Sequence, residues 1–135
     1  MMQASPYLYF RGECETALRF YEACGLGAVT GLMRYADTPM AEHDGGAWRD
    51  KVVHAVFKGP GLRLQGSDVA DAEPMKGCAI LLEPADAAAA AALFDALSAG
   101  GRVTVPFGPQ FWGDHYGNFT DRFGVQWAVN VAATR

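Results

Sequence analysis

The chain is poor in the features that mark several protein classes. Its 135 residues include three cysteines, Cys14, Cys24 and Cys78, an odd number with no C-x-x-C spacing, so neither a disulfide framework nor a zinc knuckle is expected. The eleven Lys and Arg stand singly against fifteen Asp and Glu, giving a net charge of −4 and no basic stripe to neutralise phosphates; nucleic acid is not an expected partner. Long apolar runs are also missing. The longest, "AAAAAALFDAL", is broken by Asp95 and falls well short of the roughly twenty residues a membrane span needs. The start "MMQASPYLYF" has neither a basic stretch nor an apolar signal core, and with the free thiols this points to a reducing cytoplasm. No strand is followed by a G-x-G loop opening a helix, which removes the usual nucleotide cradle of α/β enzymes.

What is present is globular composition, half hydrophobic and 19% charged, in a length that suits a single domain over 1–135. "PYLYF" at 6–10 reads as a strand. Apolar positions Cys14, Ala17, Leu18 and Tyr21 then repeat at i, i+3, i+4, i+7, predicting a helix closed by Gly25. "GAVTGLMRY" reads as a strand, and "KVVHAVF" and "LRLQGS" as a hairpin across Gly59-Pro60-Gly61. The second half repeats the order. "CAILLE" is a strand, Asp86 caps a helix whose buried edge is Leu93, Phe94 and Leu97, and "RVTVPF", "FWGDHYGNFTD" and "VQWAVNV" follow as strands.

A shift of 74 positions lays Ala17, Phe20, Gly27, Val29 and Thr30 on Ala91, Phe94, Gly101, Val103 and Thr104, and a shift of 63 pairs "GLRLQGS" with "GVQWAVN". The chain therefore reads as an internal duplication of a β-α-β-β-β module, about 5–70 and about 76–132, with extra residues in the polar loop "ADTPMAEHDGGAW" of the first copy.

Three stretches, "PYLYFRGECETALRFYEACGLG", "SD" at 67–68 and "FWGDHYGNFTDRFGVQWAVNV", resemble the PhnB-like branch of the vicinal-oxygen-chelate superfamily of glyoxalases, extradiol dioxygenases and bleomycin-resistance proteins. The resemblance implies an α+β fold in which two βαβββ modules form a curved, eight-stranded mixed sheet, a cup with helices on the outside. It also implies a homodimer whose partner lines part of each cavity, and a small organic ligand. A methyltransferase activity, often attached to this branch, has no residues behind it here.

Metal-using members of the superfamily carry His, Glu or Gln at four strand positions. Carried over, these are Pro6, Gln65, Gly77 or Cys78, and Ala128. Pro6 and Ala128 have no donor side chain, and a catalytic ion normally takes three protein ligands, so neither a metal nor any other cofactor is expected.

With Gln65 and Ala128 facing inward, alternation turns Arg63, Ser67, Gln126 and Asn130 into the cup, and Leu62, Leu64, Trp127, Val129 and Val131 toward the helices. Leu8, Phe10, Ala79 and Leu81 are expected to form its apolar walls. The candidate ligand-binding residues are thus Arg63, Gln65, Ser67, Trp112, Tyr116, Asn130 and His54. Each has a plainer role: Arg63 solvated at a rim, Gln65, Ser67 and Asn130 completing hydrogen-bond networks, Trp112 and Tyr116 packing, and His54 half-buried with a satisfied ring nitrogen.

His115, between Gly113 and Gly117, is the candidate acid–base residue. Adjacent residues of a strand point to opposite faces, so Asp114 need not orient it. Glu42, His43 and Asp44 are read as solvated surface, and Asp121 as a turn residue. The leading function is metal-free binding of a small molecule. The alternatives are a metal-dependent lyase, isomerase or dioxygenase with a non-standard ligand set, and metal-free acid–base catalysis by His115.

Overall fold

Two four-stranded mixed sheets, each with one helix on one face, carry the fold. The structure is a computed structural model and describes residues 1–133. The chain divides into two compact units, Met1–Glu73 and a second beginning at Pro74. In the first unit the elements are β1 (Tyr7–Phe10), α1 (Cys14–Ala23), β2 (Ala28–Arg34), β3 (Val52–Gly59) and β4 (Leu62–Asp68). In the second they are β5 (Ile80–Leu82), α2 (Ala87–Ser98), β6 (Arg102–Pro109), β7 (His115–Thr120) and β8 (Gln126–Val131). Strand order is β1-β4-β3-β2 in one sheet and β5-β8-β7-β6 in the other. In each, the first strand lies parallel to the last and the remaining pairs are antiparallel. The expected β-α-β-β-β order is therefore present twice, with the same topology.

In the first unit, the helical repeat of Cys14, Ala17, Leu18 and Tyr21 is wholly buried. It covers the sheet face made by Leu8, Phe10, Ala55, Phe57 and Leu64. Gly66 lets the helix approach, since a Cβ there would lie 3.2 Å from both Cys14 Sγ and the Leu8 carbonyl oxygen. Burying the four helix side chains and their partners supplies most of the drive for this unit, at roughly 25 cal/mol per Å² of apolar surface.

In the second unit Asp86 accepts a 2.8 Å hydrogen bond from the Ala89 amide, the expected cap. The buried edge of α2 is Ala90, Phe94 and Leu97; Leu93 is only half-buried, one position off the line that faces the sheet. Phe94 stacks edge-on against Phe119 at 4.9 Å, and Trp127 and Val129 are fully buried on the same face.

One sheet assignment is corrected. Leu8 and Phe10 do not line the helix-free face; they pack under α1. Parallel pairing sets Tyr7 opposite Gln65 and Tyr9 opposite Ser67, so Tyr7 and Tyr9 share the face of Gln65. Pro6 lies before the strand, its carbonyl accepting from the Gln65 amide at 3.0 Å. A slip of one residue in register exchanges the two faces of a strand, and β1 is too short for its own pattern to decide between them.

The repeat also has a steric signature. A Cβ on Gly27 would strike the Lys58 carbonyl oxygen, and one on Gly101, its partner at a shift of 74, would strike that of Thr120. Both glycines lie where the chain leaves the helix and runs alongside the middle of its sheet. Among the described residues no helix is long and apolar enough to cross a membrane.

Candidate functional site

The helix-free faces of the two sheets carry the polar side chains. In the first unit, β4 presents Arg63, Gln65 and Ser67 in successive rows, as alternation requires. Arg63 stands opposite Lys58 and Gln65 opposite Val56 across the β3–β4 ladder. The Ser5 hydroxyl accepts from Gln65 Nε2 at 3.2 Å and from Arg63 Nη1 at 3.4 Å. Ser67 is buried, and Tyr9 stands opposite it.

His54 is half-buried and paired with Met33 of β2. Its Nδ1 lies 3.1 Å from the Tyr7 hydroxyl, and the two rings stack with centroids 5.9 Å apart. Tyr7 and Tyr9 in turn lie 5.2 Å apart. The sheet thus holds an aromatic patch of Tyr7, Tyr9 and His54 that sequence reasoning assembled only in part. The two tyrosines alternate with the buried Leu8 and Phe10, which was the available signal.

In the second unit, Tyr116, Asn118 and Thr120 of β7 pair with Asn130, Ala128 and Gln126 of β8 on the helix-free face. A hollow of about 330 Å³ opens there, bordered by Cys78, Thr104, Tyr116, Asn118, Thr120 and Gln126. The Tyr116 hydroxyl accepts from Asn118 Nδ2 at 3.0 Å, and Gln126 Oε1 accepts from the Cys78 amide at 3.3 Å. Ala79 also borders the hollow, and Leu81, opposite Ala128, is exposed.

Asn130 lies outside the hollow's border and donates to Asp114 Oδ2 at 3.2 Å, while Asp114 Oδ1 accepts from the Ala133 amide. Phe111 and Trp112 sit not on a strand but on the turn between β6 and β7, edge to face at 4.9 Å. Trp112 reaches the Tyr116 ring at 5.8 Å. That turn is pinned by the Gln110 side chain, which donates to the carbonyls of Gly108 and Tyr116.

His115 is on the other face. Its ladder partner is Val131 and its ring lies 6.1 Å from that of Phe107, on the side where α2 packs. The structure therefore brings together Tyr116, Asn118 and Gln126, and does not bring His115 to them. The loop cluster is exposed surface: His43 pairs with Asp44 at 3.4 Å and Glu42 with Arg49 at 3.1 Å.

Two buried carboxylates serve the fold. Asp121, 3% exposed, accepts from the Phe123 and Val125 amides through Oδ1 and from the Trp127 indole through Oδ2, so the expected turn role extends to anchoring the largest core side chain. Asp68, quoted above only as part of a resemblance, accepts from the Gly12 and Cys14 amides through Oδ1 and from Val52 through Oδ2. Beside it the Cys14 thiol is pushed up to about 12 by burial, with the Asp68 and Glu15 charges adding to the effect.

The positions that the resemblance carries over as metal ligands fall in both units, Gln65 in the first and Cys78 and Ala128 in the second. The first-strand position beside Gln65 is Tyr7, whose hydroxyl is engaged with His54; Gln65 donates to Ser5; Cys78 precedes β5; and Ala128 presents a methyl group. Among the described residues no group of three or more His, Cys, Asp or Glu side chains is placed to share an ion.

The doubled β-α-β-β-β unit agrees with a family match over residues 4–129: the chain belongs to the Glyoxalase/Bleomycin resistance protein/Dioxygenase superfamily. Among solved structures it is similar to protein PA1353 of Pseudomonas aeruginosa, 38% identical over 99% of this chain and 100% of that one, with a TM-score of 0.87. It is 28% identical to Protein YjdN of Escherichia coli K12 over 145 residues, 96% of this chain and 95% of that protein. The PhnB protein of Bacillus cereus shares the fold at 20% identity and a TM-score of 0.80, covering 97% of this chain and all of that one.

Proposed function

We propose that this protein is a cytoplasmic homodimer that binds a small organic molecule on the helix-free faces of its sheets without a catalytic metal, and that sequestration of that molecule is its use. The observation that carries this reading is the hollow of about 330 Å³ on the second sheet, edged by the hydroxyls of Thr104, Tyr116 and Thr120 and the amides of Asn118 and Gln126. Its volume lies at the lower end of small-molecule sites, and apart from the Cys78 thiol the polar groups at its edge are hydroxyls and amides, which orient a ligand by hydrogen bonding. The donor chemistry at the four inherited positions supports the metal-free part.

For the dimer, support comes from Phe111 and Trp112, 96% and 50% exposed on a turn held by Gln110; an ordered apolar projection of this kind suits contact with a second copy. The deciding experiment is metal analysis of freshly purified protein together with native mass spectrometry. The expected result is a dimer retaining substoichiometric metal and taking up small molecules in the presence of a chelator. A stoichiometric ion whose loss abolishes uptake would replace this reading with a metal-assisted lyase or oxygenase.

A further inference from the structure

The first sheet carries a second arrangement that the hollow does not use. Three rows of side chains cross its helix-free face. Arg63 and Lys58 stand directly opposite each other in the first row, Gln65 stands between Tyr7 and Val56 in the second, and Tyr9 stands opposite Ser67 in the third, with His54 one residue beyond the Ala55–Gly66 pair. Like charges facing each other across a ladder repel. Among the described residues no carboxylate lies within ion-pair distance of either cation. Of the five guanidinium donors, Arg63 uses one, in a long 3.4 Å contact with Ser5. Next to this uncompensated cation pair lies the Tyr7–Tyr9–His54 patch, with Tyr7 and Tyr9 39% and 53% exposed.

We infer that this face binds an aromatic carboxylate. The carboxylate meets the fork of Arg63, which matches its two oxygens, and relieves the repulsion with Lys58. The ring lies against Tyr7 and Tyr9. Rows two residues apart on a strand are separated by about 6.6 Å, so a two-carbon spacer between ring and carboxylate lets both ends engage. Met33, exposed and paired with His54, gives the ring a thioether contact at the far side. The anion end provides selectivity and the aromatic end most of the buried area. The inference rests on the metal-free binding reading, and names the chemical class of ligand for this face.

Titration calorimetry with three probes tests it: 3-phenylpropanoate, its neutral amide, and 3-cyclohexylpropanoate, each with the full-length protein in low salt and chelator. The aryl carboxylate is expected to bind saturably at one site per chain, with the amide and the cyclohexyl acid each weaker by at least about tenfold. Arg63→Met should remove the preference for acid over amide. Tyr9→Leu should remove the preference for phenyl over cyclohexyl and leave the acid preference in place.

Circular dichroism and urea unfolding serve as the check that each variant is folded. Equal affinity for acid and amide, an Arg63→Met protein that binds the acid normally, or no saturable binding up to millimolar probe overturns the inference and leaves the metal-free reading standing. Binding that appears only when a divalent cation replaces the chelator overturns that broader reading instead.

Discussion

Replacing Asp68 by Asn tests the load this one carboxylate carries in the first unit. The side chain is 1% exposed and its two oxygens accept three backbone N–H groups, each at 2.9 Å, from Gly12, Cys14 and Val52. The N-cap residue of α1, Glu13, makes no capping bond through its own side chain. Asp68, from the end of β4, therefore supplies the negative charge and the acceptor at the start of that helix, where both are favourable. Its backbone carbonyl also accepts from the Tyr35 hydroxyl at 2.7 Å, so the β1–α1 turn, the start of β3 and the loop after β2 are tied at one point.

Asn keeps the size and one acceptor. With its carbonyl toward Gly12 and Cys14, its NH2 group faces the Val52 amide, and a buried donor is left without an acceptor at a cost of about 1–3 kcal/mol. The two retained bonds fall from charged to neutral acceptor strength, about 0.5–1 kcal/mol each. Asp68→Asn should therefore lose roughly 2–5 kcal/mol, and Asp68→Ala, which strands all three donors, more than the Asn change does. Urea unfolding reads this as a lower midpoint at unchanged slope. Hydrogen exchange should show protection lost first at Gly12, Cys14 and Val52. A protein within about 0.5 kcal/mol of the wild type after Asp68→Asn would refute the capping argument, that being the scatter of an ordinary surface change.

Four further outcomes follow from the same geometry. At neutral pH Cys78, exposed, should alkylate rapidly while the buried Cys14 stays protonated and reacts only on unfolding; peptide mapping after timed labelling reads both. Because the folded Cys14 thiol titrates near 12 and the unfolded one near 9, the folded state holds its proton where the unfolded state has lost it, so this group's contribution is intact below about pH 9 and is lost as pH rises from 9 towards 12; Cys14→Ala should flatten that alkaline decline in urea midpoints. Gly27→Ala and Gly101→Ala should each cost more than about 2 kcal/mol by thermal or urea unfolding, because a carbonyl occupies the Cβ position, whereas Gly25→Ala, with open space around it and φ of +85°, should cost only about 1–2 kcal/mol. On the proposal that the exposed Phe111–Trp112 turn meets a second copy, Phe111→Ser with Trp112→Ser should lower the sedimentation coefficient of the wild-type protein towards that of a monomer without changing the circular dichroism spectrum.

Periodicity made the helices and most strands readable. Cys14, Ala17, Leu18 and Tyr21 could face only one way, and the Gly59-Pro60-Gly61 turn left one hairpin between β3 and β4. β1 was different. Its four residues, all apolar or aromatic, fit a strand in either orientation, and only pairing with β4 decides that the tyrosines rather than Leu8 and Phe10 leave the core. The same holds for His115: alternation groups it with Gly117 and Phe119 and groups Tyr116 with Asn118, but which of the two sets turns towards α2 is decided only by the packing of Phe119 and Gly117 against that helix. Asp68 was illegible for a further reason, since a cap supplied from 54 residues away leaves no local pattern at the helix it serves.

The two modules also show where function should be sought. Positions under the helices are matched between the copies because packing allows little choice: Leu64 and Trp127 occupy equivalent buried places, and Gly27 and Gly101 avoid the same kind of carbonyl. On the helix-free faces the equivalent pairs differ in kind. Arg63 corresponds to Gln126, Gln65 to Ala128 and Ser67 to Asn130, so one sheet is cationic and aromatic where the other offers amides and hydroxyls. A fold that needed these faces only for packing would hold them as alike as the buried ones. Exchanging Arg63 for Gln, the residue its twin already carries, should accordingly leave stability within about 0.5 kcal/mol while altering which small molecules bind. A large loss of stability would show that the first sheet needs its cation for the fold.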